Sequence, residues 1–270
     1  MGIKKRSSRG GIPELKDPYF DLQAEMGVTK HVGGLKATEE LIALSQIGRE
    51  KYVLDVGCGV GATACYLAKK IGCSVVGVDI REAMIARSIE RARREGVEDN
   101  VEFRVADAQA LPFEDASFDV VINESVTAFI DDKRRAIGEY LRVTKPGGYV
   151  GLNETTWLKT PTPTEVVDYV LRTTGGCKPE TADGWRALLE DAGLHDLVVR
   201  TDKLVTLSQF VGEIRMIGIS GFLKACGTLL ALYFKSSPHR RAIRELKKEA
   251  RNCPKDLLDY YGYGLYVGMK

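Results

Sequence analysis

Apolar and polar positions follow two periods along this chain. Short β-branched and apolar runs at 52–56, 74–79, 101–105, 118–122, 149–152, 197–201 and 261–267 predict buried strands. Between the first five, apolar residues recur at helical spacing. Ala64, Leu67, Ala68 and Ile71 form the inner face of a helix over 61–70, and Ile85, Ile89 and Ala92 that of a helix over 82–94. A third helix, capped by Asp131 or Asp132, runs to 143, and the turn Lys145-Pro146-Gly147-Gly148 leads into the fifth strand. Strand and helix in alternation imply a parallel sheet with right-handed crossovers.

The pattern differs at both ends. Residues 18–26 and 35–47 predict two helices joined by Thr29-Lys30-His31-Val32-Gly33-Gly34, a cover able to fold over a ligand. After Glu154, helices are expected at 164–174 and 181–193. An apolar run over 216–234, broken only by Lys224, and a basic amphipathic helix over 238–253 then precede the final strand. Emerging near the carboxyl ends of the strands, this segment is expected to fold across the mouth of a site and help line it. The run's length admits a membrane reading, which its glycines, Ser220 and Lys224 weaken.

The 270 residues, 44% hydrophobic and 28% charged, suit a globular protein, and a net charge of +2 gives no reason to expect nucleic acid. Six scattered cysteines without a C-x-x-C pair argue against a disulfide framework or structural zinc and for a reducing, cytoplasmic setting. Arg87, Arg91 and Arg94 are interleaved with acids and are expected to form a solvated face. The opening residues are basic and polar, a flexible tail rather than a secretory signal.

The chemistry begins where the first strand empties into Gly57-Cys58-Gly59-Val60-Gly61. Glycines permit a tight strand-to-helix turn and bring backbone N–H groups against a nucleotide-like ligand. Asp79 closes the next strand, where a carboxylate can accept from two ribose hydroxyls. Gly57, Gly59 and Ala62 also fit a dinucleotide fingerprint, but no second glycine turn follows. Asp107 after the third strand is placed for an adenine amino group, with the Ala108 N–H for a ring nitrogen, so one nucleoside fills the site.

Four strings carry a resemblance: VLDVGCGVGA at 53–62, VVGVDI at 75–80, VADAQALPFEDASFDVV at 105–121 and LRVTKPGGYV at 141–150. In this order they resemble the class I S-adenosylmethionine-dependent methyltransferases. The likeness is to the small-molecule subgroup that includes ubiquinone/menaquinone-type and sarcosine-type enzymes, and HVGGLKATEEL at 31–41 is similar to that subgroup's cofactor-covering segment. The resemblance implies a Rossmann-like α/β fold: a seven-stranded mixed sheet, last strand antiparallel, with helices on both faces. The expected organisation is a basic tail (1–12), helical lid (13–50), core (51–205), helical insertion (206–260) and last core strand (261–270). S-adenosylmethionine is the implied cofactor, with S-adenosylhomocysteine as product. Asp55, Gly57, Gly59 and Gly61 are expected around its methionine half, with Gly34 covering. Asp79 would hold the ribose and Ile80 the adenine face; Asp107 and Ala108 would read the adenine edge, and the Asn123 backbone would take the amino group.

Because a methyl sulfonium is already electrophilic, a base is needed only for a protonated acceptor, and His31, Glu124 and Glu154 are the candidates, at loop positions near the methyl end. The expected partner is a small-molecule acceptor, moderately apolar, with weak membrane-surface contact through the basic helix as a further expectation. Two alternatives stay open: an arsenite-type thiophile methyltransferase using Cys73, Cys177 and Cys226, and a non-catalytic cofactor-binding scaffold subunit.

Overall fold

The computed structural model describes residues 18–28, 31–204 and 206–270, without the side chains of 18, 206–218, 220 and 235. The expected tail, the start of the lid, Thr29 and Lys30 lie outside the described residues. Among the described residues eight strands form one sheet: β1 (Tyr52–Val56), β2 (Ser74–Asp79), β3 (Val101–Val105), β4 (Phe118–Glu124), β5 (Thr144–Trp157), β6 (Glu180–Thr181), β7 (His195–Lys203) and β8 (Tyr261–Met269). Their order is β3-β2-β1-β4-β5-β8-β7, with the two-residue β6 beside β5. β8 is antiparallel to both neighbours and all other pairs are parallel. The chain therefore winds one way from β1 through β2 to β3 and the other way from β4 to β5. The crevice between β1 and β4, at the carboxyl ends, is where an open α/β sheet takes a ligand.

Period-two alternation divides the core. Leu54, Val56, Val76, Val121, Leu152 and Tyr266 point to one face, under α5 (Lys133–Val143) and α7 (Ala182–Ala192). Val53, Val75, Val120, Ile122 and Leu265 point to the other, under α2 (Gly34–Leu44) and α3 (Ala62–Lys70). Asp132 caps α5, accepting from the Arg135 N–H at 3.0 Å. Helix α4 (Glu82–Glu95) departs from its expected pattern: Met84, Ile85, Ser88, Arg91 and Ala92 are buried, and Ile89 is exposed. Arg91 is not part of a solvated face. Its guanidinium donates to the carbonyls of Val60 (2.9 Å) and Gly27 (3.2 Å), and Arg87 donates to Ala24 (3.1 Å), so α4 holds the end of α1 (Pro18–Met26) against the glycine turn.

Two strand ends also differ. β4 runs through Asn123 and Glu124, and β5 through Trp157, because β5 pairs continuously with β8 from Tyr149↔Met269 to Trp157↔Tyr261. Glu154 therefore sits inside a strand rather than in a loop. The segment between β7 and β8 is a helical hairpin, α8 (Thr206–Lys235) and α9 (Ser237–Arg251), followed by the short α10 (Leu257–Tyr260). It packs on α1 and α2. Leu22 of α1 is buried with Ala242 and Ile243 of α9 and with Leu229, Leu232 and Tyr233 of α8. Among the described residues no helix is long and apolar enough to cross a membrane.

Candidate functional site

The turn after β1 is built by backbone. The N–H groups of Gly57 and Cys58 both donate to the Val78 carbonyl, at 2.7 and 2.9 Å, and bind the turn to the end of β2. Gly57 has φ +72°, and a Cβ there would lie 2.2 Å from a Val126 methyl, so only glycine fits. Asp79 completes the turn: Oδ2 accepts from the Gly59 N–H at 3.0 Å and Oδ1 from the Arg81 N–H at 2.9 Å. Burial raises its pKa, opposed by these two bonds and by the Arg81 charge.

Beside this turn lies a cavity of about 480 Å³. Of the residues expected from sequence, Asp55, Gly57, Gly59, Asp79, Ile80, Asp107, Ala108, His31 and Glu124 line it. Ile80 is 65% exposed, an apolar surface of the cavity just after the carboxyl end of β2. Asp107 Oδ1 accepts from the Gln109 N–H (2.9 Å), an Asx turn that fixes the carboxylate at the rim.

Gly34, Gly61, Asn123 and Glu154 are not in the lining. Gly61, φ +71°, is set against Phe103 and Ser88 and is the N-cap of α3; Gly34 begins α2. Asn123 alternates to the opposite sheet face, where its amide reaches the Val56 carbonyl (3.3 Å) and the Tyr140 hydroxyl (3.4 Å). Glu154 is fully buried on that same face. Its carboxylate accepts from the N–H groups of Val126 (3.0 Å), Thr127 (2.6 Å) and Ala128 (3.4 Å) and so holds the loop that carries Val126 against Gly57. Burial lifts its pKa to about 7 against the pull of those backbone bonds. Glu154 thus positions the loop and does not reach the cavity, which corrects its expected place near the methyl end.

Asp55 and Glu124 share the opposite face and converge on the cavity. Asp55 is buried, and its Oδ2 has no hydrogen-bond partner among the described residues. Burial first, then the charges of Glu124 and Asp79, raise its pKa well above the carboxylate range. Glu124 Oε2 accepts from Thr38 (3.1 Å) and Thr63 (3.3 Å), while Oε1, also buried, has no partner among the described residues. His31 Nδ1 lies 3.3 Å from Glu124 Oε2 without hydrogen-bond alignment. The backbone next to His31 is clasped from below: the Val32 N–H donates to Ser125 Oγ (3.0 Å) and Asn153 Nδ2 donates to the Val32 carbonyl (2.9 Å). The buried Asp55 carboxylate, with an unpaired oxygen, fits a cationic ligand, because a nearby positive charge restores the ionisation that burial opposes. The ammonium and sulfonium of S-adenosylmethionine are such charges, and the turn, Asp79 and Ile80 fit its nucleoside.

The sequence reading missed the far wall. Phe20 and Gln23 of α1 line the cavity, with Phe129 and Ile130 after β4 and Gly175 after α6 (Thr164–Thr173). Phe20 meets Phe129 edge-on at 5.3 Å between centroids, and the Arg81 guanidinium lies 4.6 Å over the Phe20 ring. No described side chain of 206–260 lines the cavity, and the side chains of 206–218 lie outside the described ones. The three cysteines of the thiophile alternative are apart: Cys73 and Cys177 are buried on opposite faces of the sheet and Cys226 is exposed on α8. Among the described residues no group of three metal-type ligands converges.

The clasp on Val32 is expected to tighten over bound cofactor. Amide hydrogen exchange at Val32 and Gly33 should slow when S-adenosylhomocysteine is added. Unchanged exchange would make the segment ordinary packing.

The chain is also similar to known proteins. Residues 54–152 match a family described as "Methyltransferase domain". An uncharacterized protein of Haemophilus influenzae is 34% identical over 204 residues, covering 74% of this chain and 81% of that protein. Methyltransferase GfsG of Streptomyces halstedii is 35% identical over 63% of this chain. A Haemonchus contortus phosphoethanolamine N-methyltransferase 2, solved with phosphomonomethylethanolamine and S-adenosylhomocysteine, superposes with TM-score 0.71 at 20% identity over 95% of this chain, a likeness of fold. The chain spans less than two thirds of these last two proteins, 61% and 58%.

Proposed function

Since the chain belongs to the class I S-adenosylmethionine-dependent methyltransferases, with S-adenosylmethionine as cofactor, we propose that it methylates a small, moderately apolar acceptor that loses a proton to the His31–Glu124 pair. The bound sulfonium supplies an electrophilic methyl group, so the protein's part is alignment, water exclusion and proton removal. The observation that carries the reading is Glu124 Oε1, a buried carboxylate oxygen without a described partner at a cavity that also holds the glycine turn and Asp79. In this reading Thr38 and Thr63 hold the carboxylate through Oε2, Oε1 accepts the acceptor's proton, and the His31 imidazole stands 3.3 Å from Oε2 beside it. Phe20, Phe129 and Ile130 offer an acceptor apolar surface and exclude water. A scaffold subunit is disfavoured, because an unpaired buried oxygen costs roughly 1–3 kcal/mol and serves nothing without a ligand.

The test is a labelling screen: metabolite extract with methyl-labelled cofactor, asking which product gains label. No labelled small molecule from any extract would overturn the reading. Cofactor binding is tested separately. Asp79→Ala removes the ribose acceptors and the tether of Gly59 and should weaken S-adenosylhomocysteine by about ten- to a hundredfold. Tight binding of NAD, or an Asp79→Ala protein that binds normally in calorimetry, would contradict the assigned cofactor geometry.

A further inference from the structure

We propose that the α8–α9 hairpin is a docking surface for an anionic membrane. Two stripes carry the inference. On α8, Ile219, Leu223, Leu230 and Phe234 are exposed to between 60 and 73%, with exposed Cys226 among them. Their i, i+4, i+7, i+11, i+15 spacing puts them on one side of the helix, away from Leu229 and Leu232, which pack with Leu22 of α1 and with α9. On α9, six basic side chains stand against two acidic ones, and Arg241, Arg244, Lys248 and Arg251 share an exposed stripe. The buried side of α9 is His239, Ala242 and Ile243.

The stripes adjoin at the tip of the hairpin. Arg240 donates to the Tyr233 carbonyl (3.0 Å) and the Phe234 carbonyl (3.3 Å), and the Arg240 and Arg244 guanidiniums each lie 6.0 Å over the Tyr233 ring. Exposed Phe234 therefore sits beside fixed cationic groups. An apolar stripe edged by arginine and lysine matches the boundary of a bilayer, where acyl chains lie under anionic headgroups. A second copy of this chain would bring basic stripe against basic stripe. The whole chain carries only +2, so the concentration of positive charge on α9 is local.

The surface is tied to the site by the packing of Leu22 and by a hydrogen bond between His239 Nε2 and Glu25 Oε1 at 2.8 Å, Leu22 and Glu25 both being on the helix whose Phe20 and Gln23 line the cavity. Docking places that wall of the cavity next to lipid. Nothing in this inference depends on the acceptor's identity, and the binding test below needs no turnover.

The full-length protein is sedimented with vesicles of phosphatidylglycerol and phosphatidylcholine in equal parts, and with phosphatidylcholine alone. Binding to the anionic vesicles only, falling as salt is raised, is the expected result. The pairs Arg241→Glu/Lys248→Glu and Leu223→Glu/Leu230→Glu should each lower partitioning by about tenfold or more. These residues are solvent-exposed, and unchanged thermal melting verifies the fold of both proteins. The proposal is overturned if the native protein stays in the supernatant, or if either pair binds as the native protein does. It is also overturned if light scattering shows a native dimer that Leu223→Glu/Leu230→Glu splits, for then the apolar stripe belongs to a second copy.

Discussion

Glu124→Gln should lower kcat by about a hundred- to ten-thousandfold on the acceptor found by labelling, with S-adenosylhomocysteine affinity changed little. The amide still offers a carbonyl oxygen to the Thr38 and Thr63 hydroxyls, so the side chain stays in place. It loses the second acceptor oxygen, the buried one without a described partner. His31→Gln should lower kcat less, since the imidazole stands beside Oε2 and does not receive the proton first. A Glu124→Gln enzyme that keeps kcat within a few-fold would mean that the acceptor arrives deprotonated and that alignment alone suffices.

The second large effect is on stability. Glu154→Ala should cost about 3–5 kcal/mol, because it strands the N–H groups of Val126, Thr127 and Ala128 and leaves a cavity in the core. Glu154→Gln is the informative companion. Burial lifts the native pKa to about 7, above the unfolded carboxylate's value of about 4.3. A raised native pKa stabilises the fold in acid; that contribution is lost as pH rises from the unfolded pKa through the native one. Between pH 4.5 and 7 the native protein should therefore lose about 3 kcal/mol that Glu154→Gln, which does not titrate, does not lose. Urea titrations of both proteins at pH 5 and pH 8 check this. Parallel curves would mean that the three N–H groups keep the carboxylate ionised throughout.

The glycine turn, Asp79 and the strands that carry them were legible because each depends on neighbours within a few residues. The residues that went astray depend on partners far along the chain. Glu154 reads as a loop residue until β8, over a hundred residues later, extends β5 past it. Asn123 and Glu124 look equivalent after a strand ended at Ile122, yet two more paired residues in β4 turn one toward Tyr140 and the other toward the cavity. The alternation of Val120 and Ile122, continued to Glu124, was the available signal. Phe20 and Gln23 lie in the segment expected as a cover, but the short pattern of α1 does not say which of its side chains face the ligand.

By itself, then, the sequence determined the alternating strand and helix core, the turn at 57–61 and the acid at Asp79. These follow from local sterics and from the period at which apolar residues must repeat to be buried. Tertiary structure decided which carboxylates meet at the cavity, that Glu154 supports a loop instead of acting there, that Arg91 is buried, and that α1 rather than the described part of the hairpin forms the far wall. Each of these is settled by which face of an element is covered by another distant in sequence. That depends on pairing and packing energies between remote segments, which no local pattern contains.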